Sequence, residues 1–295
     1  MDSFIPWVGG KRALRKTIYE YFPKPETTEG GKSKPAFDRY IEVFGGAAWL
    51  LFYKDKHAPF EVYNDVNGEL VNLFRCVKEH PQELAKQIDF NLISRERFMA
   101  YKDQDPQYLT DIQRAARFLY LIKHSFCSNT TSFGANPRLM PSLELMEKVA
   151  QRLERVIIEN NSFERVIKQY DRTGSLLYLD PPYHTTEYFY NGGKSKNGKA
   201  GNRGDGKGAG CSCGNGNDKG SCGNNSQLVF GADDHVKLRD MLVNIKGKFI
   251  LSYNDDEFLR ELYKDFNIHG ITRSNPMTAQ TGTTKDFKEL IITNF

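Results

Sequence analysis

The strongest constraint on the fold is a repeated pattern in which a short apolar run is followed by a turn and then by a helical segment. The runs at 40–44 and 60–63 are each followed in this way, and further short apolar runs occur at 175–179, 249–252 and 290–292. Strands that alternate with helices predict an open α/β sheet. Because ligands bind at the carboxyl ends of the strands in such sheets, the residues that follow each run are candidates for a site.

The first two strand ends carry turns that suit a nucleoside ligand. Gly45 and Gly46 follow the first strand, and residues 49–52 are predicted to begin a helix after them. A glycine turn lets the backbone approach a dinucleotide or an adenosyl group closely, but it also occurs where it serves packing alone. Asp65 follows the second strand, where an acid can accept hydrogen bonds from ribose hydroxyls or form an Asx turn. The full Gly-x-x-x-x-Gly-Lys-Ser/Thr phosphate loop is absent, so nucleotide hydrolysis is not indicated.

The third strand end is the most specific feature of the chain. Residues 175–179 lead into Asp180-Pro181-Pro182-Tyr183, a tetrapeptide expected by chance on the order of 0.001 times in a chain of this length. The two prolines fix the direction of the backbone and leave carbonyl groups free. Asp180 and the Pro181 carbonyl can each accept one hydrogen of a planar amine, while Tyr183 stacks on its ring. Accepting both hydrogens makes the amine nitrogen nucleophilic.

Composition indicates how the chain is divided. Helical spacing dominates from about 80 to 172, where Thr110 and Gln113 match a capping box. In the same region Leu145, Val149, Leu153 and Val156 form an apolar stripe at helical spacing. Residues 191–226 contain 12 of the 25 glycines and no large apolar side chain, which is typical of a flexible surface loop. We expect a catalytic domain formed by residues 1–80 and 171–295, with a helical domain at 81–170 inserted into it.

The charges and cysteines of the chain indicate where its basic residues are concentrated and argue against a structural zinc site. The chain has 41 basic and 37 acidic residues, of which six basic and two acidic residues lie in 191–226. The rest of the chain therefore has 35 of each and is neutral overall. Within this neutral remainder, residues 112–143 carry four basic side chains and no acid. Five cysteines fit a reducing compartment. Cys211, Cys213 and Cys222 lack the fourth ligand of a structural zinc site, so we expect no metal.

The chain has no apolar run near the roughly 18 residues that a membrane span requires. Its first residues carry no secretion or transit signal. We therefore expect a soluble, cytoplasmic protein without a membrane partner, acting as a monomer or a weak dimer.

The motifs resemble those of the DNA adenine methyltransferases of the Dam type. The likeness is carried by Pro6-Trp7-Val8-Gly9-Gly10-Lys11, Ile41-Glu42-Val43-Phe44-Gly45-Gly46, Asn64-Asp65-Val66-Asn67 and the Asp180 corner, and it covers nearly the whole chain apart from residues 191–226. It implies a Rossmann-like class I methyltransferase sheet with an inserted, mainly helical target-recognition domain. It also implies direct transfer of a methyl group from S-adenosylmethionine to the 6-amino group of adenine, flipped out of double-stranded DNA. Val43 and Ala48 depart from the family, which often has Pro and Gly there.

The resemblance implies three sets of site residues. The catalytic set is Asp180, Pro181, Pro182 and Tyr183. The cofactor contacts are Trp7, Lys11, Glu42, Phe44, Gly46, Asp65 and Asp180. The DNA contacts are expected at Lys123, Ser125, Phe126, Asn129, Thr131 and Arg138, whose side chains can pair with base edges or wedge beside an extruded base, whereas Cys127 is expected to pack in the interior. Methylation of a cytosine amine, of RNA or of a glutamine side chain stays open, as do a catalytically silent DNA-binding protein and a restriction endonuclease partner.

Overall fold

The computed structural model describes residues 1–27, 33–89, 92–134, 138–183, 230–274 and 286–295. The main-sheet strands are β3 (Arg39–Glu42), β4 (Phe60–Asn64), β5 (Val156–Glu159), β6 (Ser175–Leu179), β7 (Lys248–Asn254), β8 (Asn267–Ser274) and β9 (Asp286–Thr293). They form one seven-stranded sheet in the order β5-β4-β3-β6-β7-β9-β8. Two short strands, β1 (Glu26–Thr27) and β2 (Ser33–Lys34), form a separate antiparallel pair.

The strand order creates a crevice at the carboxyl ends of the central strands. Strands β5, β4, β3, β6 and β7 are parallel, whereas β9 runs antiparallel between β7 and β8. From β3 the chain proceeds outward to β4 and β5, and it then returns to place β6 on the other side of β3. Such a switch in direction opens a ligand-binding crevice at the carboxyl ends of the strands. The residues that follow β3, β4, β6 and β7 therefore share one site.

Helices cover both faces of the sheet. Their bounds are α1 (Arg15–Glu20), α2 (Gly68–Glu79), α3 (Pro81–Asp89), α4 (Arg95–Asp103), α5 (Asp111–His124), α6 (Leu143–Leu153), α7 (Phe163–Tyr170), α8 (Ala232–Val243) and α9 (Glu257–Leu262). Alternate side chains of the central strands point to opposite faces. Leu176 and Tyr178 pack in the core with α1, α2, α5 and α6, whereas Leu177 and Leu179 pack in the core with α7, α8 and α9.

The α/β sheet and its five expected strands are confirmed, and β6 has the predicted bounds 175–179. The helix expected to begin at 49–52 is wrong, because only a 3₁₀ turn (Leu51–Tyr53) forms there. Ala48 has a left-handed φ of 55° and Lys54 is extended, with φ −122° and ψ 155°, so the helical backbone is limited to a single turn between them. The capping box is confirmed, since Thr110 and Gln113 exchange both hydrogen bonds at the start of α5.

Part of the region assigned to the helical domain belongs to the sheet. Val156, which the apolar spacing joins to the helix ending at Leu153, begins β5 instead, and α7 follows as a helix of the sheet. The helical spacing conceals this strand because α6 leads into it almost directly. Residues 156–170 therefore pack with the sheet. The division of the chain into two domains remains a prediction, with the inserted region ending before residue 156.

Candidate active site

A cleft of about 1190 Å³ lies at the carboxyl ends of the central strands. Its walls include the segment Trp7–Lys11, the turns after β3 and β4, and the Asp180–Tyr183 corner after β6. Residues of α5, together with Thr130 and Thr131, also line the cleft. Sites for one small molecule measure roughly 300–1,000 Å³, so the volume of this cleft lies just above that range.

The glycine turn after β3 is fixed to β4 by short contacts that exclude a side chain. A Cβ atom on Gly45 would lie 2.2 Å from Cε2 of Tyr63, and Gly46 has a φ of +48°. The Gly46 amide donates to Oδ2 of Asp65 at 2.9 Å, and its carbonyl accepts from the Tyr63 hydroxyl at 2.7 Å. Ala48 also adopts a left-handed φ of 55°, which explains why glycine suits that position in the family and adds backbone strain here.

The N-terminal segment packs directly on this turn. A Cβ atom on Gly46 would lie 2.9 Å from Cδ1 of Trp7, and one on Gly10 would lie 2.6 Å from Nε1 of Trp49. Trp7 also meets the ring of Phe118 on α5 edge to face, with 6.4 Å between centroids. The two glycines therefore let the segment approach the turn closely enough to bring Trp7 and Lys11 to the cleft.

Lys11 joins the N-terminal segment to the catalytic candidate Asp180. Its ammonium lies 2.6 Å from Oδ1 and 2.7 Å from Oδ2 of Asp180, and it donates to the Gly9 carbonyl at 3.1 Å. The same nitrogen lies 4.7 Å from the centroid of the Tyr183 ring. The Lys11 side chain is almost completely buried. Asp180 and Tyr183 thus hold a nitrogen donor between a carboxylate and an aromatic face.

Strands β7 and β9 each contribute a side chain that forms a hydrogen bond with the Asp180–Tyr183 corner. Ser252 of β7 donates to Oδ1 of Asp180 at 2.9 Å, and the Tyr178 hydroxyl lies 3.0 Å from the Ser252 hydroxyl. On β9, buried Glu289 accepts a 3.1 Å hydrogen bond from the Tyr183 hydroxyl. Burial, with the nearby Asp180 and Glu289 carboxylates, raises the pKa of Tyr183 well above its usual value. Its phenol therefore stays protonated at neutral pH.

The sequence motifs assign no role to Tyr178, Ser252 or Glu289. The signal that could have identified two of them is a polar residue within or beside a buried apolar run: Ser252 lies between Leu251 and Tyr253, and Glu289 precedes Leu290. That pattern does not say which residue each side chain meets. Only the pairing of β6 with β7 and of β7 with β9 decides it.

Glu42, Phe44 and Asp65 lie where the sequence analysis expected them, along one wall of the cleft. Glu42 is buried and accepts from the Tyr40 hydroxyl at 2.8 Å. Burial raises its pKa to about 8, although the Tyr40 hydrogen bond opposes the shift. Burial likewise raises the pKa of Asp65, against backbone hydrogen bonds that include the Asn67 and Gly46 amides.

Phe44 belongs to an aromatic cluster on the same wall. Its ring stacks with that of Phe163 at the start of α7, with 5.8 Å between centroids. Phe230, just before α8, meets both rings edge to face at 5.6 Å. The three rings form an apolar cluster that lines the same cleft as Asp65.

The loop at residues 125–134, which follows α5, contains most of the expected DNA-contacting residues. It closes on itself through hydrogen bonds from Phe126 N to Ser132 O and from Gly134 N to His124 O. Phe126 is 60% exposed, and Thr131 is exposed and lines the cleft. Asn129 is half-buried, and its side-chain oxygen accepts from the amides of Thr131 and Ser132.

Two expectations for this loop need correction. Ser125 is buried, and its hydroxyl donates to Ile122 O and accepts from Thr130 N, so it shapes the loop and presents no group at the surface. The expectation that Cys127 packs in the interior is wrong, because Cys127 is exposed and has a left-handed φ of 50°.

Lys123 and Arg138 lie on either side of this loop in the sequence. Lys123 is half-buried, and burial, together with the Arg138 charge, lowers its pKa to about 8. Arg138 is exposed and donates to the Ser128 hydroxyl at 3.0 Å. The two cations therefore flank the loop that borders the cleft.

Within the described ranges, no group of three or more His, Cys, Asp or Glu side chains could hold a metal ion. No helix in this part of the chain has the length and apolar character needed to cross a membrane. Residues 191–226, which were expected to form a flexible loop and include Cys211, Cys213 and Cys222, lie outside the described residues.

A Rossmann-like sheet with an Asp-Pro-Pro-Tyr corner in its crevice defines a methyltransferase that acts on an amino group. Comparison with known proteins then identifies the family. The profile of the D12 class N6 adenine-specific DNA methyltransferases matches residues 7–200, more than half of the chain. The chain belongs to this family, and the enzyme is an adenine-specific DNA methyltransferase, as the resemblance implied.

Full-length relatives agree with this assignment. The chain is 26% identical to the Type II methyltransferase M1.LlaDCHI of Lactococcus lactis subsp. cremoris, over 100% of this chain and 96% of that protein. It is 25% identical to the Type II methyltransferase M.MjaIII of Methanocaldococcus jannaschii, over 100% and 99% respectively. It is 23% identical to the Retron Ec67 DNA adenine methylase of Escherichia coli, over 99% and 90%.

Proposed function

We propose that this enzyme transfers the methyl group of S-adenosylmethionine directly to the 6-amino group of an adenine flipped out of double-stranded DNA, and that the Asp180–Tyr183 corner is where the transfer occurs. The observation that carries the proposal is the Lys11 ammonium, which donates to Asp180 at 2.6 Å and lies 4.7 Å from the Tyr183 ring centroid. The corner therefore already binds a nitrogen donor through the carboxylate that is proposed to accept from the adenine amine, next to the ring that is proposed to stack on the base.

The wall beside the glycine turn fits an adenosyl group. Each carboxylate oxygen of Asp65 accepts one backbone amide, from Gly46 or Asn67, and an oxygen can accept a second hydrogen bond from a ribose hydroxyl. Phe44 offers an aromatic face to the purine. Trp7, Lys11, Glu42 and Gly46 complete the proposed cofactor contacts. When bound, S-adenosylmethionine supplies an electrophilic methyl group on a positively charged sulfur.

The corner residues then act on the adenine. Asp180 accepts one hydrogen of the amine, the Pro181 carbonyl accepts the other, and Tyr183 stacks on the base. Pro182 keeps this corner rigid. With S-adenosylmethionine bound, the amine nitrogen would accept the methyl group, the sulfur would leave as the neutral thioether of S-adenosylhomocysteine, and the Asp180 carboxylate would accept the proton that the amine loses. Orientation of reacting atoms near 3–3.5 Å can lower such a barrier by about 7–11 kcal/mol, so positioning is the main contribution of the chain.

The loop at 125–134 and the cations flanking it are the proposed DNA-binding surface. Phe126 suits insertion beside an extruded base, and Asn129 and Thr131 can reach base edges. Lys123 and Arg138 suit phosphate contacts, which predicts that affinity falls with salt at a slope of roughly −0.9 per neutralised phosphate. We assign target recognition to the helical region before residue 156, and we propose a monomer or weak dimer in the cytoplasm.

The test is transfer from S-adenosylmethionine labelled in its methyl group to double-stranded DNA, followed by digestion to nucleosides. We expect the label in N6-methyl-2′-deoxyadenosine. Label in N4-methyl-2′-deoxycytidine would contradict adenine as the target. Absence of cofactor binding in calorimetry would contradict the proposed donor.

A further inference from the structure

We propose that Ser252 is a positioning residue for methyl transfer, and that its buried hydroxyl fixes the direction in which the Asp180 carboxylate faces the cleft. Nothing in the family comparison assigns this residue a role. The inference rests on the catalytic role proposed above for Asp180.

The position of Ser252 is set by the pairing of neighbouring strands. Leu179, the last residue of β6, pairs with Leu251 of β7, so Ser252 lies beside Asp180 at the carboxyl end of the sheet. Its side chain is completely buried, between Leu251 and Tyr253 in the sequence, which are also buried. Its hydroxyl lies 2.9 Å from Oδ1 of Asp180.

The direction of each hydrogen bond follows from the number of hydrogens that each group carries. An ionised carboxylate only accepts, and a serine hydroxyl has one hydrogen to donate. Since Ser252 donates to Asp180, the 3.0 Å contact between the Tyr178 and Ser252 hydroxyls must have Tyr178 as its donor. The result is a chain from Tyr178 through Ser252 to Asp180 in which every hydrogen is directed toward the carboxylate.

A purely structural role for the hydroxyl would use a different acceptor. The Leu179 carbonyl lies 3.4 Å from the Ser252 oxygen, a longer and poorer contact than the 2.9 Å one to Asp180. Hydrogen bonds to charged acceptors are also shorter and stronger than those to neutral ones. The single hydrogen of Ser252 therefore goes to Asp180.

This fixed hydrogen bond matters most when the substrate arrives. Lys11 contacts both carboxylate oxygens of Asp180 in this structure, and an adenine amine that binds there must take over part of that contact. Ser252 approaches from the strand beside the corner and does not line the cleft. It can therefore hold the carboxylate plane while the partner on the cleft side changes from Lys11 to the amine.

The test compares Ser252→Ala with a matched control, Ser175→Ala. Ser175 is also a buried serine of a central strand, but it lies at the opposite end of β6, and its hydroxyl donates to the Tyr170 backbone carbonyl at 2.8 Å. We expect Ser252→Ala to lower kcat per cofactor-binding site roughly 10–100-fold, the range for losing a hydrogen bond to a charged group. The KM for DNA should stay within about threefold of that of wild type, and Ser175→Ala should keep the wild-type kcat.

A wild-type kcat in Ser252→Ala, or an equal loss in Ser175→Ala, would overturn the inference. Where Ser252→Ala does not fold, Ser252→Cys decides the question: it retains the shape but replaces the hydroxyl with a weak donor, and it should show the same loss of kcat. Asp180→Ala in the same assay separates the two proposals. If Asp180→Ala retains activity, the proposed function fails; if it is inactive while Ser252→Ala is fully active, only the role of Ser252 fails.

Discussion

Replacing Glu42 with glutamine should change how the stability of the protein depends on pH. The carboxyl is buried, and its pKa is raised from 4.5 to about 8. Between pH 4.5 and about pH 8 the folded protein keeps a proton on Glu42 that the unfolded chain releases. The free energy of unfolding of the wild type therefore falls as the pH rises from 4.5 to about 8. At about 1.36 kcal/mol per pH unit, the fall amounts to about 4–5 kcal/mol, and it is complete above pH 8. A glutamine has no proton to lose and retains a polar partner for the Tyr40 hydroxyl.

Guanidinium unfolding of both proteins from pH 5 to pH 9 measures this difference. We expect Glu42→Gln to gain free energy of unfolding relative to wild type as the pH rises, with most of the gain complete near pH 8. Glu79→Gln, which removes an exposed carboxyl at the end of α2, controls for the change in net charge. Parallel stability curves for wild type and Glu42→Gln would refute the reasoning.

Three further predictions concern the stability of the fold and the binding of the cofactor. Arg152→Met should lower the free energy of unfolding by about 3–5 kcal/mol, because it leaves the buried Glu61 carboxylate without the guanidinium that now lies 2.8 Å away; chemical denaturation measures this, and a loss below about 1 kcal/mol would contradict it. Gly45→Ala should weaken cofactor binding in calorimetry at least roughly tenfold, since its Cβ would lie 2.2 Å from the Tyr63 ring and force the turn to shift; an unchanged Kd would show that the turn does not shape the cofactor site. Asp65→Ala should weaken cofactor binding while leaving N6-methyladenine as the product, and equal affinity would exclude Asp65 from the site.

The parts of the site that follow from local sequence could be predicted. Two consecutive prolines after an apolar strand produce a rigid corner wherever the chain folds, so Asp180 and Tyr183 could be recognised from the tetrapeptide alone. Gly45 and Gly46 likewise indicate a turn that admits no side chain, and the close contacts with Tyr63 and Trp7 give the physical reason.

The parts that depend on strand pairing could not be predicted. Ser252 reaches the corner because β7 pairs with β6, and Glu289 reaches it because β9 pairs antiparallel with β7, which aligns Asn254 with Glu289. No local pattern encodes either register. The contact between Lys11 and Asp180 joins residues 169 positions apart. Strand β5 was missed for a different reason: its apolar residues continue the helical spacing of α6, so periodicity alone cannot mark the point where the helix ends.

The most direct test of the central claim is the single-turnover rate of methyl transfer to DNA by Asp180→Ala at saturating S-adenosylmethionine, with thermal unfolding as the check on folding. If Asp180 accepts a hydrogen bond from the adenine amine, we expect the rate to fall by roughly 10²–10³-fold or more, the loss typical of removing one group that stabilises a transition state. The melting curve should stay cooperative. A folded Asp180→Ala protein that methylates adenine at the wild-type rate would contradict the account.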